Sequence, residues 1–392
     1  MSKGIEPILE STLPNVEISR RRLPGHIPEL DGIRAIAIWM VLSLHTVIPD
    51  DESGRALAGW PKSLLLIIGH GWLGVDLFFI LSGFLITGIL LDSKNSPHYI
   101  RNFYGRRVLR IMPVYFLCLA VMAFFYPGFG PYFVMSLFFM ANMAGWLHVA
   151  VPHGPGVFWS LAVEEHFYLV WPWLVRLLSR RVLAMVCVAI MVIEPVLRAL
   201  NSAHPLDIYL LSWYRFDGLA SGALLALWFR SSYATQKRSL VLAGGYILAM
   251  VILTVATLPF GVLSNNVAGL ALRGTQATLI FSAGILVAIA CRSTKLTAPL
   301  RSPFAKFTGD LSYCLYLIHL SICDGYMAVF RRYVSHPLTV RDIFLRVAIV
   351  LAVSYTLAFL SRRYLELPVL SLKRYLTDSR SPERRVAAAE AH

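Results

Sequence analysis

Between residues 32 and 361 the chain strings together ten apolar stretches separated by short polar gaps. A helix needs about 20 mostly apolar residues to cross about 30 Å of hydrocarbon, and in lipid every backbone N–H and C=O has to find its partner within the protein. Ten such stretches in a row therefore constrain the fold more than any other feature. They cover 32–48, 64–91, 107–126, 160–178, 182–199, 207–229, 239–260, 270–291, 311–331 and 343–361. Composition agrees, with 57% of residues hydrophobic and 15% charged, against about 45–50% and about 25% in soluble domains. The expected fold class is all-α: a polytopic membrane protein of about ten transmembrane helices.

Charge sets the orientation. A net charge of +14 would suggest nucleic acid in a soluble chain. Here the Lys and Arg residues gather in loops beside apolar segments, the positive-inside pattern, so the bilayer is the expected partner and nucleic acid is not. Arg20, Arg21 and Arg22 place the N-terminus in the cytoplasm, "DDESGR" falls outside and "KNSPHYIRNFYGRRVLR" inside. An eleventh apolar stretch, 131–149, decides the count. If it crossed, "SRR" at 179–181 and "RSSYATQKR" at 230–238 would both lie outside; if it dips in and returns, or stays on the outer side, both lie inside. The second choice gives ten crossings with both termini cytoplasmic and leaves "RRYVSHPLTVRD" as the one basic outer loop.

Three regions follow: a polar cytoplasmic segment at 1–29 without a signal-peptide apolar core, a membrane domain at 30–371, and a polar tail at 372–392. Cys118, Cys187, Cys291, Cys314 and Cys323 lie in or at the ends of apolar stretches with no C-x-x-C pair, so neither disulfides nor a metal site is expected. H-E-x-x-H, G-x-S-x-G and the P-loop are absent, which removes zincin, hydrolase and ATPase readings.

The chemistry then rests on ionisable residues inside apolar segments. These are costly in lipid and face a bundle interior or a wet cavity. "LDGIRAIAIWMVLSLH" carries Arg34 and His45 eleven residues apart, which on a helix is about 16 Å along one face. Asp31 falls near the same line. A neutral imidazole is the natural general base near pH 7; the plain alternative is an arginine reaching back to the interface and a histidine with one buried hydrogen bond. The second segment, "GHGWLGVDLFFILSGFLITGILL", offers Asp76 and Ser82 and glycines suited to helix packing. In "FYGRRVLRIMP", Arg106, Arg107 and Arg110 suit bidentate phosphate binding, or equally contact with anionic lipid. In "FWSLAVEEHFYLVWPW", Ser160, Glu164, Tyr168 and Trp171 share one helical face beside Glu165 and His166. Glu194, Arg215, Asp217, Ser312, Tyr313 and His319 are further inward candidates, with Glu194 read as a structural contact.

Taken together these segments resemble the acyltransferase-3 family of integral membrane acyltransferases. The matching pieces are "LDGIRAIAIWMVLSLH", "GVDLFFILSGFLIT", "FYGRRVLRIMPVYF", "WSLAVEEHFYLVWP", "RFDGLASGALL", "LSYCLYLIHL" and "YLELP", in family order over about residues 28–370. The resemblance implies transfer of an acetyl or other short acyl group from acyl-CoA to a hydroxyl, mostly on carbohydrates, in the bacterial cytoplasmic (inner) membrane. It implies acyl-CoA, acetyl-CoA first, as donor substrate with no bound cofactor. The family's essential arginine and histidine fall on Arg34 and His45, its paired arginines on Arg106 and Arg107 with Arg110 nearby, and its glutamate segment on Glu164. In that reading the arginines hold the donor's phosphates, His45 deprotonates the acceptor hydroxyl, and Glu164 or Asp76 holds the imidazole tautomer. Two other readings compete: a transporter of sugars or acidic solutes, which the missing repeat symmetry disfavours, and a non-catalytic partner of a polysaccharide synthase. The acceptor, the acyl group, an acyl-enzyme intermediate and the oligomeric state are not legible.

Overall fold

A computed structural model describes residues 26–48, 57, 59–126, 128–262, 266–334 and 338–375. The arginines at 20–22, the outer loop at 51–55 and the tail beyond 375 lie outside the described residues.

Among the described residues the regular elements are all helical, with no strand. Helix α1 spans Pro28–Val47, α2 Lys62–Gly69, α3 Leu73–Ser93, α4 Tyr99–Phe125, α5 Gly130–Leu137, α6 Phe158–Leu177 and α7 Arg180–Leu200. Then come α8 at Pro205–Leu210, α9 at Phe216–Phe229, α10 at Gln236–Thr257, α11 at Val267–Ala290, α12 at Pro303–Tyr333 and α13 at Val340–Ser361. Eight spans are long and apolar enough to cross a bilayer, α2 and α3 counting as one. Helix α6 matches them in length but carries Glu164, Glu165 and Arg176, and α9 has only 14 residues. Each of the ten apolar stretches thus has its helix.

Two stretches are not the continuous rods their composition suggests. The 64–91 segment breaks at His70–Trp72, between α2 and α3, where the glycines at 69 and 71 interrupt the apolar run. The 207–229 segment breaks into α8, a short turn and α9, which at 14 residues is about 21 Å long. The missing turns of α9 are replaced by side chains: Glu194 of α7 accepts the backbone N–H groups of Phe216 and Asp217, both at 2.8 Å, and so caps a helix start inside the protein. The eleventh stretch, 131–149, is not a crossing helix. It forms the eight-residue α5, then turns and the single 3₁₀ turn Ala141–Met143.

Contacts between helix ends fix the topology. On one face, Lys94 after α3 donates to Leu178 O after α6 at 2.7 Å, and Arg230 after α9 binds Asp92 of α3 with two bonds of 2.8 and 2.6 Å. On the same face Glu29 of α1 meets Arg301 at 2.9 Å, and Arg362 after α13 meets Asp310 of α12 at 3.3 Å. The start of α1 and the end of α13 therefore lie on one side of the bundle, as an even number of crossings requires. Close helix crossings rely on glycine: a Cβ at Gly83 of α3 would stand 2.0 Å from Leu219 O, and one at Gly222 of α9 2.0 Å from Ile80 O. Helix α1 runs through the middle, with Ile38 and Leu42 wholly buried against α4, α6 and α12 in one apolar cluster.

Candidate active site

Helix α1 is unbroken from Pro28 to Val47, so Arg34 and His45 do share a face about 16 Å apart. The His45 ring points into the bundle, not into lipid. Its Nδ1 lies 3.0 Å from Val41 O and 3.2 Å from Nε2 of His319 on α12, which is completely buried. The two rings sit 5.1 Å apart between centroids.

This geometry assigns the tautomers. His319 Nδ1 faces two carbonyl oxygens, Tyr316 O at 2.8 Å and Leu315 O at 3.2 Å. A carbonyl only accepts, so that nitrogen carries the proton and Nε2 carries the lone pair. His45 Nδ1 faces Val41 O and that lone pair, so it is also protonated. The basic nitrogen of His45 is then Nε2. The His45 backbone is tethered too: its carbonyl accepts from Arg346 of α13 at 2.9 Å and lies 3.6 Å from the Cys323 thiol. A cation at the C-terminal end of α1 also suits the helix dipole.

A line of polar contacts leads from the histidine pair to the arginines. Tyr316 packs on His319, with ring centroids 5.8 Å apart, and its hydroxyl accepts from Ser160 of α6 at 2.7 Å. One turn on, Glu164 accepts from Ser82 of α3 at 2.5 Å and from Tyr168 at 3.0 Å. The Tyr168 ring carries the Arg107 guanidinium 3.4 Å above its centre. Trp171 closes the stripe with a 2.8 Å bond to Thr87. The face Ser160–Glu164–Tyr168–Trp171, expected from spacing, is thus an inward face with four different partners. Phe78, Ser82 and Leu85 on α3, Glu164 on α6, and Tyr313 and Tyr316 on α12 keep partial accessibility among mostly buried neighbours. Their partial accessibility deep within the bundle points to a narrow cleft among α3, α6 and α12.

At the basic end, Arg34 bonds Asp31 at 3.0 Å and keeps a fifth of its side chain accessible. It lies in the field of Asp310 and Tyr168, and Arg110 in that of Arg34, Arg107, Tyr168 and Glu164. Arg34, Arg107 and Arg110 therefore gather at one mouth of the cleft. Asp31 also holds His26 at 2.6 Å.

Several expected placements change. Asp76 does not reach His45: it pairs with Arg215 of the turn before α9 at 2.9 Å, because the break in α2–α3 sets it against α9. Glu164 does not orient His45 either; both its oxygens are taken by Ser82 and Tyr168. A side chain that does contact the imidazole is that of His319. Arg107 turns inward onto Tyr168, whereas Arg106 is exposed on α4 and no described contact joins it to the other arginines. The sequence signal for His319 was its position one turn after Tyr316 in an apolar helix, which marks it as inward-facing without naming its partner. Among the described residues no three His, Cys, Asp or Glu side chains gather to hold a metal ion.

The family relation is specific. The model of the family described as "Acyltransferase domain" (Acyl_transf_3) matches residues 27–363. Among curated proteins, the chain is 26% identical over 382 aligned positions to "Putative peptidoglycan O-acetyltransferase YrhL" of Bacillus subtilis, covering 88% of this chain and 55% of that protein. It is 31% identical over 164 positions to "Peptidoglycan O-acetyltransferase OatA" of Listeria monocytogenes, covering 38% and 24%, and 27% identical over 181 positions to "O-acetyltransferase OatA" of Staphylococcus aureus, covering 40% and 26%. The chain thus spans about a quarter to about half the length of these relatives. No solved structure matches it. With the matched model running from the start of α1 to the turn after α13, through every helix that lines the cleft, the chain belongs to the acyltransferase-3 family.

Proposed function

We propose that this chain is a membrane-bound O-acyltransferase that moves an acetyl or other short acyl group from acyl-CoA to a carbohydrate hydroxyl. The family relation supports the reaction class, and the names of the relatives make a cell-wall glycan the first acceptor to try. The observation that carries the reading is the His45–His319 pair, which leaves the lone pair of His45 on Nε2.

The roles follow from position. Arg34, Arg107 and Arg110 at the cleft mouth hold the donor's phosphates, which guanidinium groups bind with two parallel bonds. The donor's thin arm runs along the Glu164–Tyr316 line and brings the thioester to His45. There Nε2 takes the proton of the acceptor hydroxyl as its oxygen attacks the thioester carbonyl. The C–S bond breaks, the proton passes on to the leaving thiolate, and the products are the ester and free CoA. His319 keeps Nδ1 of His45 protonated and the ring oriented, the task that a carboxylate performs in other triads. Being neutral, it adds no anion to a membrane interior. Glu164 offsets the charge of Arg107 and Arg110 instead of touching the base. The basic mouth faces the cytoplasm of a bacterial cell under the positive-inside rule.

The test uses purified chain in lipid nanodiscs, acetyl-CoA and a cell-wall glycan acceptor. His45→Ala is expected to lower transfer by about 10³-fold, within the range for a lost general base, at an unchanged thermal midpoint. Transfer retained by a folded His45→Ala protein would remove the base assignment.

A further inference from the structure

Away from the basic mouth, at the His45 end of the bundle, a cavity of about 380 Å³ opens among α3, α7, α8 and α11. That volume is in the range of small-ligand pockets. Its lining includes Trp72, Tyr209, Leu270 and three arginines, Arg198, Arg215 and Arg273, and no carboxylate. We propose that this cavity is a subsite for a sugar residue bearing a carboxylate, part of the carbohydrate acceptor and distinct from the residue that carries the reacting hydroxyl. The inference rests on the acyltransferase reading and adds to it the place and charge of the acceptor.

Three observations point there. The first is the chemistry of the walls. Trp72 and Tyr209 meet edge to face at 5.9 Å, and Trp159 packs on Tyr209 at 4.7 Å. Flat rings flanked by guanidinium groups match a sugar ring with apolar C–H faces and an anionic substituent. The second is an orphan donor on a lining residue. Arg215 is 4% exposed and Asp76 2%; they bond once, at 2.9 Å, yet Arg215 Nε and Asp76 Oδ2 have no hydrogen-bond partner. Buried groups left in that state are costly. Arg215 lines the cavity and Asp76 does not, so a sugar carboxylate seated there can satisfy the donor. By contrast Arg198, in the same wall, is fully engaged by Asp217, Thr275, Ala271 O and Tyr214 O, and is architecture.

The third observation is continuity with the reaction centre. Gly71, next to Trp72, lies so close to α1 that a Cβ there would stand 2.1 Å from Met40 O and 2.8 Å from Leu44 Cβ. Leu44 is the neighbour of His45. On the other wall, Trp159 precedes Ser160, which bonds Tyr316 beside His319. A glycan seated on Trp72 therefore lies beside the end of α1 that carries the imidazole.

The experiment is equilibrium dialysis of the full chain in nanodiscs against D-glucuronate and D-glucose, two probes that differ in the carboxylate. Glucuronate is expected to bind about 10-fold more tightly, the equivalent of one charge-assisted bond. Arg273→Gln narrows the difference between glucuronate and glucose, and Trp72→Ala weakens both. Equal binding of the two sugars, binding of neither, or a ratio unchanged in folded Arg273→Gln protein overturns the proposal. Where Arg273→Gln does not fold, Tyr209→Leu replaces it, with loss of both sugars supporting the subsite and retention of both overturning it. Acetyl-CoA turnover by the wild-type chain, run in parallel, separates the two levels: its absence sinks the acyltransferase reading itself, whereas turnover without sugar discrimination sinks the subsite alone.

Discussion

Two of the buried clusters of ionisable residues are built on opposite plans. The Glu194–Arg198–Asp217 cluster behind α9 is dense: Arg198 is 1% exposed and Asp217 3%, their 2.8 Å ion pair is surrounded by hydrogen bonds, and Glu194 caps α9. The His45–His319 pair holds no formal charge in its assigned tautomers, makes one inter-ring bond of 3.2 Å, and leaves His45 partly accessible in the cleft. The first replaces helical hydrogen bonds that a broken crossing lost. The second keeps a neutral imidazole partly accessible. Both look alike in a sequence, as polar residues in apolar stretches. What separates them is charge and access: one is an ion pair sealed among hydrogen bonds, the other a neutral pair with one ring partly accessible.

Mutations can break that contrast. The largest effect is expected for Arg198→Met, which leaves Asp217 buried without its cation. Removing one partner of a buried pair costs about 3–5 kcal/mol, read as a fall in the thermal midpoint and in the yield of folded protein in detergent. The double variant Arg198→Met/Asp217→Leu should recover much of that loss; a double variant as unstable as the single one would show that the ion pair is not what Asp217 lacks.

Next comes His319→Ala, on the other side of the comparison. It should lower turnover by about 100-fold, the lower end of general acid–base effects, with little change in the thermal midpoint. His319→Gln, whose amide oxygen accepts from His45 Nδ1–H, should recover part of the rate. A loss of stability matching the loss of rate would place the pair with the structural cluster instead.

Smaller effects are expected at the mouth. Arg110→Gln should raise KM for acetyl-CoA about 10-fold at nearly constant kcat, the value of one charge-assisted bond. Arg107→Lys retains the charge but weakens the stack on Tyr168, a contact of about 1–2 kcal/mol, and should shift KM only several-fold. An unchanged KM in both variants would assign these arginines to lipid contact.

Much of this was legible without coordinates. The ten apolar runs all became helical, eight spans being long and apolar enough to cross, and 131–149 forms no crossing helix, as the charges around it suggest. The spacing of Arg34 and His45 set both on one face of α1, and the spacing of Ser160, Glu164, Tyr168 and Trp171 made one inward stripe. The partners were not legible. Asp76 lies near the level of His45 in any helical drawing of the two segments, yet it pairs with Arg215, 139 residues away. His319 is 274 residues from His45 and becomes its neighbour only through the packing of α1 on α12.

Sequence alone determined that this chain is a helical membrane protein, which end of its bundle is basic, and which faces of its helices turn inward. Those properties depend on local periodicity and on the cost of placing polar groups in lipid, and both are written in consecutive residues. Tertiary structure decided which inward groups meet. That choice depends on helix breaks at 70–72 and 211–215 and on glycine crossings such as Gly83 with Leu219. These set helix rotation and depth to within a fraction of a turn, and at that scale a residue one turn away is a different partner.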